Sequence, residues 1–505
     1  MNLTGESRRY EVQAGSRVAR GALPAILAVA LALRVWGLQT QSLTMDEVTD
    51  LTIAKQSLCA IIGTADGFPP LFHILLHWWL PVFGSDRSAR WLSVAVSLLT
   101  VLAMWKLGRR VGGPLVGWAS ALLLAISPLH IWYSQEGRAY GLYFLCAALA
   151  IWLFFRARAT DQPRDWVCYG ASVVAGLYTH YAFALLLVAL AAIVAVEPSH
   201  WVRFRRLALT HAGIAVLALP CAWLARADVS AQMAWPEAQP SVNLGTLAYA
   251  LFSFVAGHSV GPSLRELHTV TAMDAIRETI PWAAAPGLAC AYLIWLALKD
   301  GKSRPTAWRL ILLIAVPLAM CVTLGALSAG FRVRYVAWCA IPLLALLALG
   351  VVRGRGRWPT VLAAGVVVGL AMVSIFRRQF DVRYMNEDTR EAARYLAAQV
   401  DPAQPVFVTP GYMAGPLAYY LRGTRELGAL PSVYTSADLG AALSLIQTKD
   451  QVDSSFWLVY SRTFHGDPKG RLLNELRERA HLVLRATFPG IELYQGRGSG
   501  LGRER

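Results

Sequence analysis

The chain has 505 residues, of which 56% are hydrophobic and only 15% are charged, and its mean hydropathy is +0.44. Soluble globular chains carry about 45–50% apolar and about 25% charged residues. This composition excludes a soluble enzyme, a disordered protein and a coiled coil. It predicts a polytopic membrane protein, because apolar runs long enough to cross about 30 Å of hydrocarbon recur along the chain.

The formal net charge of +16 does not indicate nucleic-acid binding. Lys and Arg cluster instead in short loops between apolar runs, and this pattern is typical of cytoplasmic loops. We therefore predict no nucleic-acid partner. The seven cysteines show no CxxC spacing, so we predict neither a disulfide framework nor a zinc site.

The basic N-terminus, 1–20, precedes an apolar run from Ala22 to Leu38 that could be read as a signal peptide. No clear cleavage site follows, so we expect a retained first span with a cytoplasmic N-terminus. The short apolar stretch 69–84 is predicted to be a re-entrant or juxtamembrane helix, because a full crossing there would place the later basic loops outside. The remaining predicted spans, which with the first make eleven, are 89–107, 112–128, 139–155, 166–180, 181–196, 207–224, 281–298, 308–328, 335–351 and 358–376.

Residues after Arg378 have a soluble composition. Helix-like 388–400 and 469–480 alternate with strand-like 405–408, 456–460, 481–487 and 490–495, which predicts a small α/β domain. We thus expect a mainly α protein of about eleven transmembrane helices with a C-terminal extracytoplasmic domain. Its predicted parts are a cytoplasmic segment 1–20, a transmembrane catalytic domain 21–378, a soluble α/β domain 379–495 and a disordered tail 496–505.

The predicted topology places one set of polar residues on the outer side of the membrane. Buried ionisable groups at a membrane boundary are costly unless they are paired or functional. This set contains Asp46, Glu47, Glu136, Arg138, His180, Arg332, Arg334 and Tyr335.

Each of these residues also has a structural interpretation. Thr44 to Glu47 fits a helix capping box, and Glu136 could simply pair with Arg138. His73 and His77 are spaced as a metal pair, but such residues are more often hydrogen-bonded histidines. His180 could belong to an interfacial belt, and Arg332 and Arg334 could snorkel at a helix end. The long loop 225–280, with Trp235, Pro236, Tyr249 and His258, could be a lid, an acceptor-binding element or an inert amphipathic stretch.

Six segments together resemble a known family. They are "PPLFH" (69–73), "GSDRSARWLS" (84–93), "SPLHIWYSQEGRAYGL" (127–142), "YTHYAF" (178–183), "RVRYVAWCAIPLLAL" (332–346) and "EDTREAARYLAA" (387–398), after an Asp-Glu pair behind the first span. The chain thus resembles the bacterial branch of the GT-C membrane glycosyltransferases, which is related to protein O-mannosyltransferases and lipid A aminoarabinose transferases.

The resemblance implies inverting transfer of a sugar from a polyprenyl-phosphate donor to a glycan, lipid or protein acceptor at the outer face of the cytoplasmic membrane. It implies that Asp46 is the catalytic base, that Glu47 shares its motif and that Glu136 is the second external acid. Arg138, Arg332 and Arg334 are then candidates for binding the carrier phosphate. His73, His180 and Tyr335 fall in motifs of this branch.

The aminoarabinose transferases have Glu-Lys where this chain has Gly67-Phe68. No metal site is therefore predicted, although the sequence leaves a divalent metal open.

Two other functions are alternatives to that of a glycosyltransferase. A flippase for lipid-linked saccharides would carry ionisable residues in mid-span, and a non-catalytic scaffold would leave the acidic and Arg side chains apart.

Overall fold

A computed structural model describes residues 22–64, 67–197, 204–233, 244–326, 332–449 and 455–497. The chain forms two compact units. The helical unit comprises Met1–Leu38, Ile53–Gly261 and Ala272–Arg377. The sheet unit comprises Gln39–Thr52, Pro262–Thr271 and Arg378–Arg505. Two short segments from far upstream therefore belong with the C-terminal part, which the sequence did not predict.

Helices follow one another along the first 380 residues. They are α1 (Ala22–Val35), α2 (Met45–Ala54), α3 (Leu58–Gly63), α4 (Leu71–Phe83), α5 (Ala89–Gly112), α6 (Pro114–Ala125), α7 (Pro128–Ser134), α8 (Tyr140–Thr160), α9 (Pro163–Leu177), α10 (Ala184–Ala195), α11 (Phe204–Met233), α12 (Leu244–Ala256), α13 (Ala272–Lys299), α14 (Arg304–Ala326), α15 (Ala340–Arg353) and α16 (Trp358–Phe380). Short 3-10 segments lie at Asp86–Ser88, Tyr181–Phe183, Glu266–His268 and Val333–Cys339.

Among the described residues, seven helices are long and apolar enough to cross a membrane, or up to eight if the bent pair α6 and α7 forms one span. The multi-pass, mainly helical architecture is confirmed, whereas the count of eleven stays a prediction. The other predicted spans fall on shorter helices, such as α9 with 15 residues and α10 with 12. At 1.5 Å per residue these reach only about 20 Å, which is less than the thickness of the hydrocarbon core.

The predicted loop 225–280 contains the end of α11, all of α12 and the start of α13. Helix α12 occupies its middle, and α13 begins at Ala272, nine residues before the predicted span start. Residues 253–263 of this segment include a buried run that packs against α7, where a Cβ on Gly257 would lie 2.8 Å from Pro128. Trp235 and Pro236 lie outside the described residues, as do 1–20 and 498–505 of the two predicted termini.

The break between α6 and α7 bends the chain by 59°. Pro128 cannot donate a backbone hydrogen bond there, so carbonyls at the end of α6 need other donors. Arg34, fully buried on α1, supplies them: its Nη1 donates to the Ala125 carbonyl at 2.9 Å and its Nη2 to the Leu124 carbonyl at 3.3 Å. The same Nη2 lies 2.7 Å from His130 Nδ1 on α7. Arg34 thus fixes the bend from which the loop carrying Glu136 and Arg138 emerges.

The sheet unit contains a five-stranded sheet in the order β2-β1-β3-β5-β4. Its strands are β1 (Val406–Thr409), β2 (Leu427–Ala429), β3 (Ser455–Ser461), β4 (Val483–Phe488) and β5 (Ile491–Arg497), and its helices are α17 (Thr389–Gln399), α18 (Ala414–Leu421), α19 (Ser436–Lys449), α20 (Thr463–Gly466) and α21 (Arg471–Arg479). Strand β1 is parallel to both β2 and β3, whereas β5 is antiparallel to β3 and β4. The predicted α/β character is confirmed.

Strand β5 corrects the predicted start of the tail. The strand continues to Arg497, since Gly496 and Arg497 pair with Phe456 and Ser455 of β3. The Gly/Arg-rich composition gave no indication that these two residues belong to a strand, because backbone pairing with a neighbouring strand does not depend on their side chains.

Candidate functional site

Arg138 lies in the short connection between α7 and α8 and is 5% exposed. Its guanidinium group lies 4.7 Å from the centre of the Phe68 ring and 5.7 Å from that of Tyr140. Burial lowers the pKa of this guanidinium to about 10, so the group remains positively charged at neutral pH. A buried cation resting on aromatic faces attracts a negatively charged ligand strongly, because little water screens it.

His180 caps the 3-10 segment Tyr181–Phe183 and is 5% exposed. Its Nδ1 accepts a hydrogen bond of 3.1 Å from the backbone N–H of Ala182. The neutral ring therefore carries its proton on Nε2. Among the described residues this Nε2 has no hydrogen-bond partner. His180 thus holds a buried, unused donor.

The His180 ring is fixed by aromatic neighbours. It stacks on Tyr143 with ring centres 4.7 Å apart, and it meets Phe68 edge-on at 5.2 Å and Tyr335 at 5.7 Å. The Tyr143 hydroxyl donates to the Tyr335 carbonyl at 2.7 Å. These contacts join α8, the turn after α9 and the segment Val333–Cys339.

Arg334 brings a second guanidinium group to the same place. It interacts with the Tyr140 side chain, and its charge, like that of Arg138, acts on the His180 ring. Arg332 is exposed at the start of this segment, and its charge acts on Arg334. We call Phe68, Arg138, Tyr140, Tyr143, His180, Arg334 and Tyr335 the basic–aromatic cluster.

Glu136 is half-buried beside the basic–aromatic cluster, where its charge acts on Tyr133 and Tyr140. The helical unit therefore brings together six of the predicted residues from three distant parts of the chain: Glu136, Arg138, His180, Arg332, Arg334 and Tyr335. Phe68, Tyr140 and Tyr143 belong to the same cluster but were not predicted. Their positions inside the motifs "GFPPLFH" and "GRAYGLYF" were the available signal.

His73 lies in the first turn of α4 and is 3% exposed. The centre of its ring lies 6.3 Å from that of the neighbouring Phe72 ring. The start of α4 is held near His180, because the Leu71 backbone N–H donates to the Tyr178 carbonyl at 2.9 Å. His77 Nδ1 lies 2.8 Å from the Ala54 carbonyl, as expected of a hydrogen-bonded histidine.

Asp46 and Glu47 open α2 in the sheet unit. The Glu47 Oε2 accepts from the Thr44 backbone N–H at 2.9 Å, and the Thr44 hydroxyl accepts from the Glu47 N–H at 3.2 Å. This reciprocal pair is a capping box, which confirms the structural interpretation of the motif. Asp46 is half-buried in the same helical turn.

A third carboxyl group, Asp50, lies one turn further along α2 and is 2% exposed. Burial first, and the charge of Glu47 second, raise its pKa well above the ordinary value. The first turns of α2 therefore bring three carboxyl groups together, and the shift favours the neutral form of Asp50. In the described part of the chain, no group of three or more His, Cys, Asp or Glu side chains is arranged to hold a metal ion.

The fold resembles that of one class of protein. The family model described as dolichyl-phosphate-mannose-protein mannosyltransferase matches residues 68–225. This match covers less than half of the chain and is a similarity over that part. The resemblance to GT-C enzymes related to protein O-mannosyltransferases and aminoarabinose transferases is thereby confirmed.

Two solved structures illustrate the similarity. ArnT from Cupriavidus metallidurans bound to undecaprenyl phosphate superposes with a TM-score of 0.59 at 13% identity, covering 94% of this chain and 98% of that chain. The oligosaccharyltransferase AglB from Archaeoglobus fulgidus, in complex with an inhibitory peptide and a dolichol-phosphate, superposes with a TM-score of 0.54 at 12% identity, covering 94% and 74%. At these identities the similarity concerns the fold. No curated protein sequence matches the chain.

Proposed function

We propose that this protein transfers a hexosyl or pentosyl group from a polyprenyl-phosphate donor to an acceptor hydroxyl, with inversion, at the outer face of the cytoplasmic membrane. The single observation that carries the proposal is the basic–aromatic cluster, in which Arg138, Arg334 and the unused His180 Nε2 meet. The family match and the two superposed structures, which carry undecaprenyl phosphate and dolichol-phosphate, support it.

The cluster suits the phosphate of a lipid carrier. Guanidinium groups bind phosphate through charge-assisted hydrogen bonds that are stronger than neutral ones. The Nε2–H of His180 would add a third donor, and the surrounding aromatic rings would exclude water. Arg332, exposed beside Arg334, would attract the carrier phosphate before it is bound.

The proposed reaction exchanges one bond for another at the anomeric carbon. The acceptor oxygen forms a bond to this carbon as the bond to the phosphate oxygen breaks, and the polyprenyl phosphate departs with the bonding electrons. Negative charge grows on the departing phosphate, so Arg138 and Arg334 would stabilise the transition state more than the ground state.

The acceptor hydroxyl loses its proton to a carboxylate, and such general-base help contributes about 10²–10⁴-fold. We assign this role to Asp46. The neighbouring Glu47 already accepts the Thr44 N–H, so we assign it to the support of the helix start. Glu136, beside Tyr133 and Tyr140, would orient the sugar or the acceptor.

The orientation belongs to the same proposal. The N-terminus and the basic loops would face the cytoplasm, while the sheet unit would lie outside it. A lipid carrier could then remain in the outer leaflet while its sugar reaches water.

The test uses the full chain reconstituted in vesicles with polyprenyl-phosphate mannose as the donor probe and envelope glycans of a deletion strain as acceptors. We expect sugar transfer by the wild type. Arg138→Gln and Arg334→Gln should each raise the donor KM about 10–150-fold, as expected from the loss of ~1.5–3 kcal/mol per charged hydrogen bond.

Arg110→Gln is the matched control, because this residue at the end of α5 donates to the Phe155 carbonyl. Wild-type vesicles that move the donor across the membrane without consuming it would contradict the proposal and favour a flippase. Unchanged donor KM in both variants would remove the cluster from donor binding.

A further inference from the structure

The connections of the sheet unit create a topological switch point. The chain leads from β1 through α18 to β2, which lies on one side of β1. It then leads from β2 through α19 to β3, which lies on the other side of β1. All three strands are parallel. In open parallel sheets, ligands bind outside the carboxyl ends of the strands where the strand order reverses. Here that place lies between β1 and β3.

The two hydrophobic cores confirm that these connections run on opposite faces. One core packs Leu417 and Leu421 of α18 against Val406 and Val408 of β1. The other core packs residues of α19 and α21, namely Ala442, Ile446, Leu472 and Leu476, against Phe407 and Leu458. The sheet therefore has helices on both faces.

Aromatic and polar side chains gather at the carboxyl ends of β1 and β3. Tyr412 follows β1, and Arg462, Phe464 and His465 follow β3. The Tyr412 hydroxyl lies 3.1 Å from His465 Nδ1, and the Arg462 guanidinium lies 5.9 Å from the centre of the Tyr412 ring.

The segment 262–271 adds an aromatic face from far upstream in the sequence. The His268 ring stacks on Phe464 with centres 4.5 Å apart and planes 4° from parallel, and it lies 5.3 Å from the His465 ring. His268 is exposed, while Phe464 and His465 are half-buried. The exposed His268 ring thus adds an aromatic side chain beside the polar ones.

Arg462 and Glu387 form an ion pair at this place, and the charge of Arg265 also acts on Glu387. The Arg462 Nε and Nη2 donate to the two Glu387 carboxylate oxygens at 3.0 and 3.2 Å. Arg462 adopts φ 40° and ψ 53°, a left-handed conformation that favours glycine.

This chemistry selects one class of ligand. The Glu387 carboxylate would repel an anion, and the Arg462 guanidinium would repel a cation. A neutral saccharide places its C–H faces on aromatic rings and its hydroxyl groups on the oxygen and nitrogen atoms of Tyr, His, Arg and Glu side chains. Binding sites commonly combine aromatic surface with a few placed polar groups in this way.

We propose that the carboxyl ends of β1 and β3 form a binding site for a neutral saccharide, which Tyr412, Arg462, Phe464, His465 and His268 recognise. On the proposed function, on which this part rests, the saccharide belongs to the sugar acceptor. The site would then select the acceptor, while the basic–aromatic cluster binds the donor.

The test is saturation-transfer NMR on the full-length protein in detergent, with methyl mannopyranoside, methyl galactopyranoside and methyl glucopyranoside as separate probes. We expect at least one glycoside to bind the wild type with millimolar affinity. Phe464→Leu and His268→Ala should each weaken this binding about tenfold, because each removes one half of the stacked pair. Leu484→Ala, an exposed position on the edge strand β4, is the control and should leave binding unchanged.

A wild type that binds none of the three glycosides would overturn the site, as would equal binding by the variants and the wild type. Transfer measurements separate this result from the proposed function. In a transferase, Phe464→Leu should raise the acceptor KM and leave the donor KM unchanged. Glycoside binding without any sugar transfer would instead contradict the enzyme and leave the saccharide site standing.

Discussion

The Arg138 guanidinium lies 4.7 Å from the centre of the Phe68 ring. A cation of the site is therefore supported here by an aromatic face. The face of an aromatic ring attracts a cation through the quadrupole of the ring. Phe68 also contacts Tyr140 and His180 edge-on, so it packs against Arg138 and His180, two of the three donors of the proposed phosphate site.

Phe68→Leu keeps the apolar volume but removes the ring from Arg138. The lost cation–π interaction of ~0.5–2 kcal/mol should raise the donor KM about 2–30-fold with little change in kcat. Steady-state transfer kinetics measure both constants. Phe155→Leu, at the far end of α8, is the control for loss of a buried ring, and a donor KM equal to that of the wild type would contradict a role for Phe68.

His180→Asn should separate the two nitrogen atoms of the ring. Asn can still accept the Ala182 N–H at the start of the 3-10 segment, but it lacks the distal N–H. We expect the thermal midpoint of unfolding to be preserved and the donor KM to rise about 10–150-fold. If donor affinity stays at the wild-type level while the variant remains folded, Nε2 does not contact the donor.

Asp46 and Glu47 should respond differently to loss of their charge. Asp46→Asn should lower kcat about 10²–10⁴-fold if this carboxylate is the base. Glu47→Gln should remain active, because Gln also completes a capping box, whereas Glu47→Ala should destabilise the helix start by about 1 kcal/mol. Full activity of Asp46→Asn would end its assignment, and an inactive but stable Glu47→Gln would move the base to Glu47.

The pair Glu387–Arg462 should make the sheet unit sensitive to acid. Burial raises the pKa of Glu387, but the charge and hydrogen bonds of Arg462 outweigh this effect and leave the pKa below its ordinary value. The pair therefore stabilises the fold above pH of about 4.3, the ordinary pKa of Glu, and this stabilisation is lost as the pH falls through the lower, folded-state pKa.

Glu387→Gln should accordingly lower the free energy of unfolding of the sheet unit by about 3 kcal/mol at pH 7, as for a broken buried ion pair. The difference from the wild type should shrink under acid conditions. Hydrogen exchange of the β3 amides as a function of pH measures it. Glu266→Gln, which breaks a more exposed pair with Arg383, is the control and should cost less at neutral pH.

The proposed orientation can be tested with single cysteines in a cysteine-free background. Leu484→Cys on β4 should react with a membrane-impermeant maleimide in intact cells. Lys302→Cys, in the basic connection between α13 and α14, should react only after the membrane is opened. Labelling in the reverse order would place the sheet unit in the cytoplasm and exclude a donor site in the outer leaflet.

Much of the architecture could be predicted because it depends on local properties of the sequence. Long apolar runs indicated the helices, short apolar runs indicated β1 and β3, and Thr44 to Glu47 indicated a helix start. Strand β2 was not predicted. Its three residues, Leu427–Ala429, are extended because they pair with β1, and their own composition does not indicate a strand.

The sequence by itself determined that this chain is a polytopic membrane protein with a small α/β part and a basic, acidic and aromatic set of residues near its helix ends. Only the tertiary structure decided that Phe68, Arg138, His180 and Arg334 meet in one cluster, and that His268 stacks on Phe464. Hydropathy and capping act over a few neighbouring residues, so they can be recognised in the sequence. Contacts between residues separated by more than a hundred positions depend on how helices and strands pack, and a single sequence does not encode that packing in any local pattern.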